Sequence, residues 1–583
     1  MRLIISFVFL FFCQSVLAVP KTWNGGAAGS WSNPANWSPA GVPIVATSPS
    51  IGDDIIFDGS ITATVTITDY PLQVNTDFWG QLSLINIVTV NISSASDTYM
   101  YFGTGIDIAT GSRINVGAAT TTIFELSNKN AIANSGLIYG IVDMEGAGTN
   151  AVTNRKIFNT PNSGGATKIY GTLIFSGPSA QLTGANSGNF SIESGGELQW
   201  ARDGMALPAL VCKDGGIINI TGIITTPLVF ANAGSYFGLI IWNNPSQTGS
   251  NIQIVPSVGF LFHVDSVRVI NTGSGTATLG NTPCYSVGHL EVQGGIMQLG
   301  SPINTTGCFS TYLITSDLKL TGGTLIGNAT FTGDAGVAYP LTLSIGRDLI
   351  ITGGTFNLTN RPTGLAPGGA IQLNVGRNIV QTGGSLFSTS SFGSQNNINM
   401  NGSAAQTLEI TNNFTDVGLG ISNTSATLGV TLANNVTIQA SCYINLTRGY
   451  IKLDNYNLTV PANKFFQGSF TPMPRIVTSG FGKLKLTGIT ASSTQIFPVA
   501  PLTVNSYDPL TITTTASAVT NDYSIRVQRG IASGNIYSTK VINRTWIVNS
   551  TTTAVANSVG LTYQYNDSAK QAGCITSAQM EEG

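Results

Sequence analysis

Apolar and polar residues alternate along most of this chain, and one stretch writes the alternation twice. Leu341-Thr-Leu-Ser-Ile-Gly-Arg-Asp-Leu-Ile-Ile-Thr-Gly-Gly-Thr-Phe356 is followed by Ile371-Gln-Leu-Asn-Val-Gly-Arg-Asn-Ile-Val-Gln-Thr-Gly-Gly-Ser-Leu386, each matched position offset by 30 (371 − 341). A looser copy, Asp317-Leu-Lys-Leu-Thr-Gly-Gly-Thr-Leu325, lies 31 residues earlier (352 − 321), and a fainter one is His289-Leu-Glu-Val-Gln-Gly-Gly-Ile-Met297. Alternation with period two predicts half-buried strands. Gly346 and each Thr-Gly-Gly are expected at corners, where positive φ is needed and only Gly takes it freely. Self-similarity at this period predicts stacked units. Units of strand, corner, strand, corner bury their inward residues only against the coils above and below. The expected fold is all-β, a right-handed parallel β-helix in which Gly353 and Gly383 stand one above the other.

The pattern also divides the chain. Short alternating runs such as Thr62–Ile67 and Val88–Ile92 recur from about residue 61 to 489. At about 25 residues per coil they make on the order of seventeen coils, near 80 Å of stack. From about 490 the strands lengthen and turns fall every ten to fifteen residues, as in Tyr523-Ser-Ile-Arg-Val527 and Leu561-Thr-Tyr-Gln-Tyr565. That texture predicts a small β-sandwich over 490–583. No recognisable sorting domain precedes Gly583, and the natural protein is expected to continue.

Residues 19–60 are expected to cap the stack. Trp23, Trp31 and Trp37 fall close together, followed by Asp53-Asp54-Ile-Ile-Phe57. Three Trp suggest sugar stacking, but an open first coil has an apolar end and an unpaired edge to cover, and burial in a cap is the stronger reading. Asp53-Asp54 reads as a turn before a strand rather than a calcium site. Residues 1–18 read as an export signal: Arg2, the apolar run Leu3 to Phe12, and cleavage after Ala18. The run is too short to span a bilayer, and no other segment is a transmembrane candidate.

The spacing Trp23-x-Gly-Gly…Trp31-Ser-x-Pro-x-Asn36-Trp37…Val42-Pro43…Gly52-Asp-Asp-Ile-Ile-Phe57 resembles the opening segment of large secreted β-helix surface proteins of the Bacteroidota type. Leu446-Thr-Arg-Gly-Tyr-Ile-Lys-Leu-Asp-Asn-Tyr-Asn-Leu-Thr-Val460 is similar to their coil repeat, and the module after 490 resembles the one that follows their helix. The resemblance implies an envelope or extracellular location, adhesin-like roles and often type IX export. It brings no catalytic residues.

Composition sharpens the picture. Only 9% of the 583 residues are charged, against about 25% in ordinary globular domains, while 42% are hydrophobic and Gly numbers 68. The surface is therefore neutral and polar, and a net charge of −2 gives no electrostatic case for nucleic acid. Without the leader, Cys212, Cys284, Cys308, Cys442 and Cys574 are odd in number and scattered, so neither a disulfide framework nor a zinc site is expected. Buried apolar thiols are the simpler reading, with a Cys284–Cys308 pair as the alternative. Only His263 and His289 exist, and no nucleophile elbow, phosphate loop or galacturonase-like Gly-His-Gly is present.

One place could hide chemistry. Aligning the four repeats on their Gly-Gly puts His289, Asp317, Asp348 and Asn378 in one column, flanked by Arg347 and Arg377. Two carboxylates about one strand spacing apart repel, so one pKa is expected to rise unless a cation intervenes. Such a pair could serve a retaining glycosidase or calcium. The plainer reading is that corners tolerate Asp and Asn, with Arg347 neutralising Asp348 in solvent. The expectation overall is a secreted, monomeric surface scaffold without cofactor, adhesive or contacting polysaccharide or a host or neighbouring-cell surface. The alternative is a β-helix polysaccharide lyase or glycoside hydrolase.

Overall fold

The computed structural model describes residues 19–564 apart from short internal stretches, the longest being 300–310, 329–340, 360–370 and 531–543. The leader, Cys13, Cys284, Cys308 and Cys574 lie outside the described residues, whereas Cys212 and Cys442 are buried thiols. The described residues are strands and turns, with two single-turn 3-10 segments, Pro34–Asn36 and Ala462–Lys464. The chain forms two compact units, which divide near residues 223–241.

The first unit is a parallel stack. Thr64–Ile67, Thr89–Ile92, Arg113–Val116, Ile141–Glu145, Thr172–Ser176, Glu197–Ala201 and Ile217–Ile220 pair in succession, all parallel. Their alternate residues, among them Val65, Ile67, Val90, Ile114, Val142, Leu173 and Leu198, point inward and are buried. Stacking is the only way such a coil hides its apolar face, and each fully buried aliphatic side chain contributes about 1.5–3 kcal/mol.

Its opening residues close the stack. Lys21–Trp23 runs parallel to Ile55–Asp58 but antiparallel to Trp37–Ser38. Trp23, Trp31 and Trp37 are at most 2% exposed. Ring centroids lie 5.2 Å apart for Trp23 and Trp37, 4.7 Å for Trp31 and Trp37, and 5.0 Å for Trp31 and Trp79. The rings are therefore packing, not a sugar platform. Asp53 accepts from the backbone N–H of Val19 and Ile44, both at 2.9 Å, and Asp54 from Gln81 at 2.7 Å. These carboxylates staple the cap to the coils.

The second unit contains the repeats. Leu341–Ile345, Leu349–Ile351 and Thr355–Thr359 form three faces of one coil, and the next coil supplies Ile371–Val375, Ile379–Gln381 and Ser385–Phe387 in parallel register. The coil step ranges from 20 residues (297 − 277) to 31 (349 − 318). Ile351 pairs with Gln381 and Thr355 with Ser385, so Gly353 and Gly383 share a corner, as the repeat requires. Positive φ belongs to the second glycine of each pair: Gly295, Gly323, Gly354 and Gly384 lie between 61° and 70°. Gly346 is not among the residues with positive φ, contrary to expectation. It is glycine because a Cβ there would lie 2.2 Å from the Thr315 carbonyl of the preceding coil.

The stack gives way to a sandwich through one shared strand. Leu484–Ile489 pairs parallel with Leu458–Pro461 on one side and antiparallel with Asn521–Arg529 on the other. Asn521–Arg529 pairs with Arg544–Ser550, and Leu510–Thr514 joins Thr494–Phe497 and Val559–Tyr563 in a second antiparallel sheet. Trp546 of the first sheet meets Tyr563 of the second at 5.2 Å, and the buried Arg544 Nε donates to Asp508 Oδ2 at 2.8 Å. Val499–Ala500 still pairs in parallel with Arg475–Val477, so the coil pattern overlaps the beginning of the sandwich.

Candidate functional site

The corner column forms as the repeat alignment places it. Leu290 pairs with Leu318, Leu318 with Leu349, and Leu349 with Ile379, so the residues before them, His289, Asp317, Asp348 and Asn378, stand on successive coils. The backbone closes each step: Leu290, Leu318 and Leu349 donate to the carbonyls of Asp317, Asp348 and Asn378 at 2.9–3.0 Å. The side chains form a second ladder. Asp317 Oδ1 accepts from the Asp348 N–H at 3.1 Å, Asp348 Oδ1 from the Asn378 N–H at 3.0 Å, and Asn378 Oδ1 from the Thr407 N–H at 2.8 Å. The corner amides of Asp348 and Asn378, and the amide of Thr407 in the strand Gln406–Ile410, thus find an acceptor one coil back.

The cations differ from expectation. Chain adjacency suggests Arg347 as the partner of Asp348, in solvent. Instead Asp348 is only 7% exposed, and each Arg reaches back one coil. Arg377 Nε donates to Asp348 Oδ1 at 2.7 Å and its Nη2 to Oδ2, while Arg347 Nε lies 3.7 Å from Asp317 Oδ1. Burial pushes the Asp348 carboxyl up, but the Arg377 guanidinium and the Asn378 N–H more than offset this and hold it below the usual carboxylate range. Burial pushes the His289 imidazole down, against the pull of Asp317 and Glu291. Cations do intervene between the carboxylates, and Asp348 is not the raised acid a general acid would need.

A second surface, which the repeat did not reveal, lies on the sheet of Leu341–Ile345, Ile371–Val375, Asn397–Met400, Gly418–Ser422, Tyr443–Arg448 and Phe465–Gln467. Leu373, Ile398, Leu419 and Ile444 fill the core. The outward positions make two columns. One runs Thr342, Gln372, Asn397, Gly418, Tyr443, and the other Ser344, Asn374, Asn399, Gly420, Asn445, Phe466. Asn399 Nδ2 donates to Asn374 Oδ1 at 3.2 Å and to Gln372 Oε1 at 3.4 Å. The Tyr443 hydroxyl donates to Asn397 Oδ1, and Tyr443 meets the half-exposed Phe466 edge to face at 6.0 Å. Alternating Gly418-Leu-Gly-Ile421 between Asn397-Ile-Asn-Met400 and Tyr443-Ile-Asn-Leu446 is the sequence signal that could have found it.

Together these features define a parallel β-helix chain with a neutral outer face and a bonded corner column. No family model matches the chain, and neither a curated protein nor a solved structure is significantly similar to it. Among the described residues, no group of three or more His, Cys, Asp or Glu could hold a metal ion, and no helix is long and apolar enough to cross a membrane.

Proposed function

We propose that this chain is a secreted or cell-surface scaffold, adhesive or glycan-contacting, which acts by presenting side chains rather than by cleaving bonds. The observation that carries the reading is the contrast in what the polar side chains bond to. The Asp317, Asp348 and Asn378 oxygens are spent along the stack, on the next coil's backbone and on Arg347 and Arg377. The amides and aromatic rings of the 372–466 face lie over strands whose backbone is already paired, and bond to one another instead of to backbone. The resemblance of residues 21–58 to secreted Bacteroidota-type surface proteins supports the same reading, with export and cleavage after Ala18.

The test pairs adhesion with turnover. Beads coated with the protein are expected to adhere to polysaccharide-coated surfaces or neighbouring cells, and the protein is expected to leave the viscosity of a uronate-polymer panel unchanged. Falling viscosity would reverse the reading in favour of a polysaccharide-cleaving enzyme. N-terminal sequencing of exported protein is expected to begin at Val19.

A further inference from the structure

We infer that the 372–466 face is a binding platform for a neutral, extended polysaccharide lying along the stacking direction. The inference rests on the glycan-contacting reading above and names its ligand class. Gly418 and Gly420 sit at outward positions of a strand with neighbours on both sides. A glycine there weakens the strand and usually marks a close approach. Outward side chains ordinarily stand roughly perpendicular to a sheet. Here the missing Cβ lets Tyr443 lie down: a Cβ on Gly418 would fall 2.2 Å from Tyr443 Cζ and 2.4 Å from its hydroxyl oxygen. The Asn399 carboxamide leans over Gly420 in the same way, its Oδ1 being 2.1 Å from where a Cβ would stand. Asn397 holds the phenol end, and Phe466 supports the ring from the next coil. The two glycines thus lay an aromatic ring across the sheet between carboxamides.

That arrangement suits a sugar ring. The C–H face of a pyranose packs on an aromatic face, and its hydroxyls find in each carboxamide both a donor and an acceptor. Charge decides the class of sugar. From Thr342 and Ser344 to Tyr443 and Phe466 the two columns contain no ionisable carboxylate or cation. A uronate or sulfate would lose hydration there without a cation in return. Geometry decides the direction. Coils advance by roughly 4.8 Å, close to the advance per sugar of an extended linear chain, so successive sugars meet equivalent positions on successive coils.

The test is affinity electrophoresis of the full chain in native gels cast with a soluble neutral linear β-glucan or with polygalacturonate. The parent is expected to be retarded by the neutral polymer, with no change on adding salt. Tyr443→Ala and Phe466→Ala are expected to weaken retardation roughly tenfold or more each. Gly418→Val, which displaces the ring without deleting it, is expected to do the same. Tyr139→Ala, elsewhere on the chain, is expected to behave as the parent. Circular dichroism and melting check each fold, and Tyr443→Ala decides if Gly418→Val misfolds. Folded Tyr443→Ala and Phe466→Ala proteins that bind like the parent would overturn the inference, as would retardation by polygalacturonate alone. A parent that ignores every neutral glycan yet adheres to cells would overturn the inference and leave the scaffold reading standing. Loss of both would remove both.

Discussion

The corner column of residues 289–378 and the outward face of residues 372–466 belong to one stack and meet on the coil that begins at Ile371, yet their polar groups do opposite work. At the corner, Asp317, Asp348 and Asn378 turn along the stack and accept the next coil's N–H groups. On the face, Asn399, Asn445 and Tyr443 stand on strands whose backbone is already paired, so their side chains are not needed to satisfy it. A polar residue in a stack is structural where the backbone leaves the ladder. Where the ladder is complete, polar side chains bond to one another and form a surface rather than a support.

The largest effect that could break this comparison is at Asp348. Asp348→Ala removes the acceptor of the part-buried Asn378 N–H and the partner of Arg377, and is expected to lower stability by about 1–3 kcal/mol. The shift in urea midpoint measures it, while retardation by neutral glycan should not change. Equal stability would mean that the side-chain ladder holds nothing.

A subtler comparison uses acid. The Asp348 carboxyl is depressed in the folded chain, so its stabilising contribution is complete above the unfolded value, near 3.9, and fades as pH falls through the lower folded value. Asp348→Asn keeps the acceptor and loses the charge. Its deficit relative to the parent, read from urea midpoints, is expected to be below about 1 kcal/mol near neutrality, because Arg377 is partly exposed. The deficit should shrink as pH drops below about 4. A constant difference across that range would count against the ion pair as its source.

The smallest stability effect belongs to the face. Tyr443→Phe loses only the hydroxyl's bond to Asn397 and is expected to cost about 0.5–1.5 kcal/mol at most. Its glycan retardation should lie between those of the parent and Tyr443→Ala. If Tyr443→Phe destabilised the chain more than Asp348→Ala did, the division of labour between corner and face would be wrong.

Much of this fold is legible in the sequence because inward positions obey a period of two and Gly-Gly fixes the coil offset. The column of His289, Asp317, Asp348 and Asn378 follows from that offset alone. The ion pairs do not, since Arg377 is 29 residues from Asp348 and a reading by chain neighbours selects Arg347. The reason for Gly346 is equally hidden: close approach of the Thr315 carbonyl leaves no trace distinct from a positive φ. The outward face stayed out of sight because its coil steps vary, 25 residues from Gln372 to Asn397 (397 − 372) but 21 to Gly418 (418 − 397), so no fixed period brings its residues together.

The antiparallel strand that closes the first ladder bears on assembly. A parallel solenoid is chemically close to a fibril: its terminal coil offers the same row of N–H and C=O groups that a cross-β filament extends without limit. Trp37–Ser38 reverses direction against Lys21–Trp23. A second copy arriving in the direction of the coils meets, at this edge, a strand of the wrong polarity and a plug of buried tryptophan. The reversal acts as a chain terminator for polymerisation, so a chain stripped of residues 19–60 would have a naked growing end.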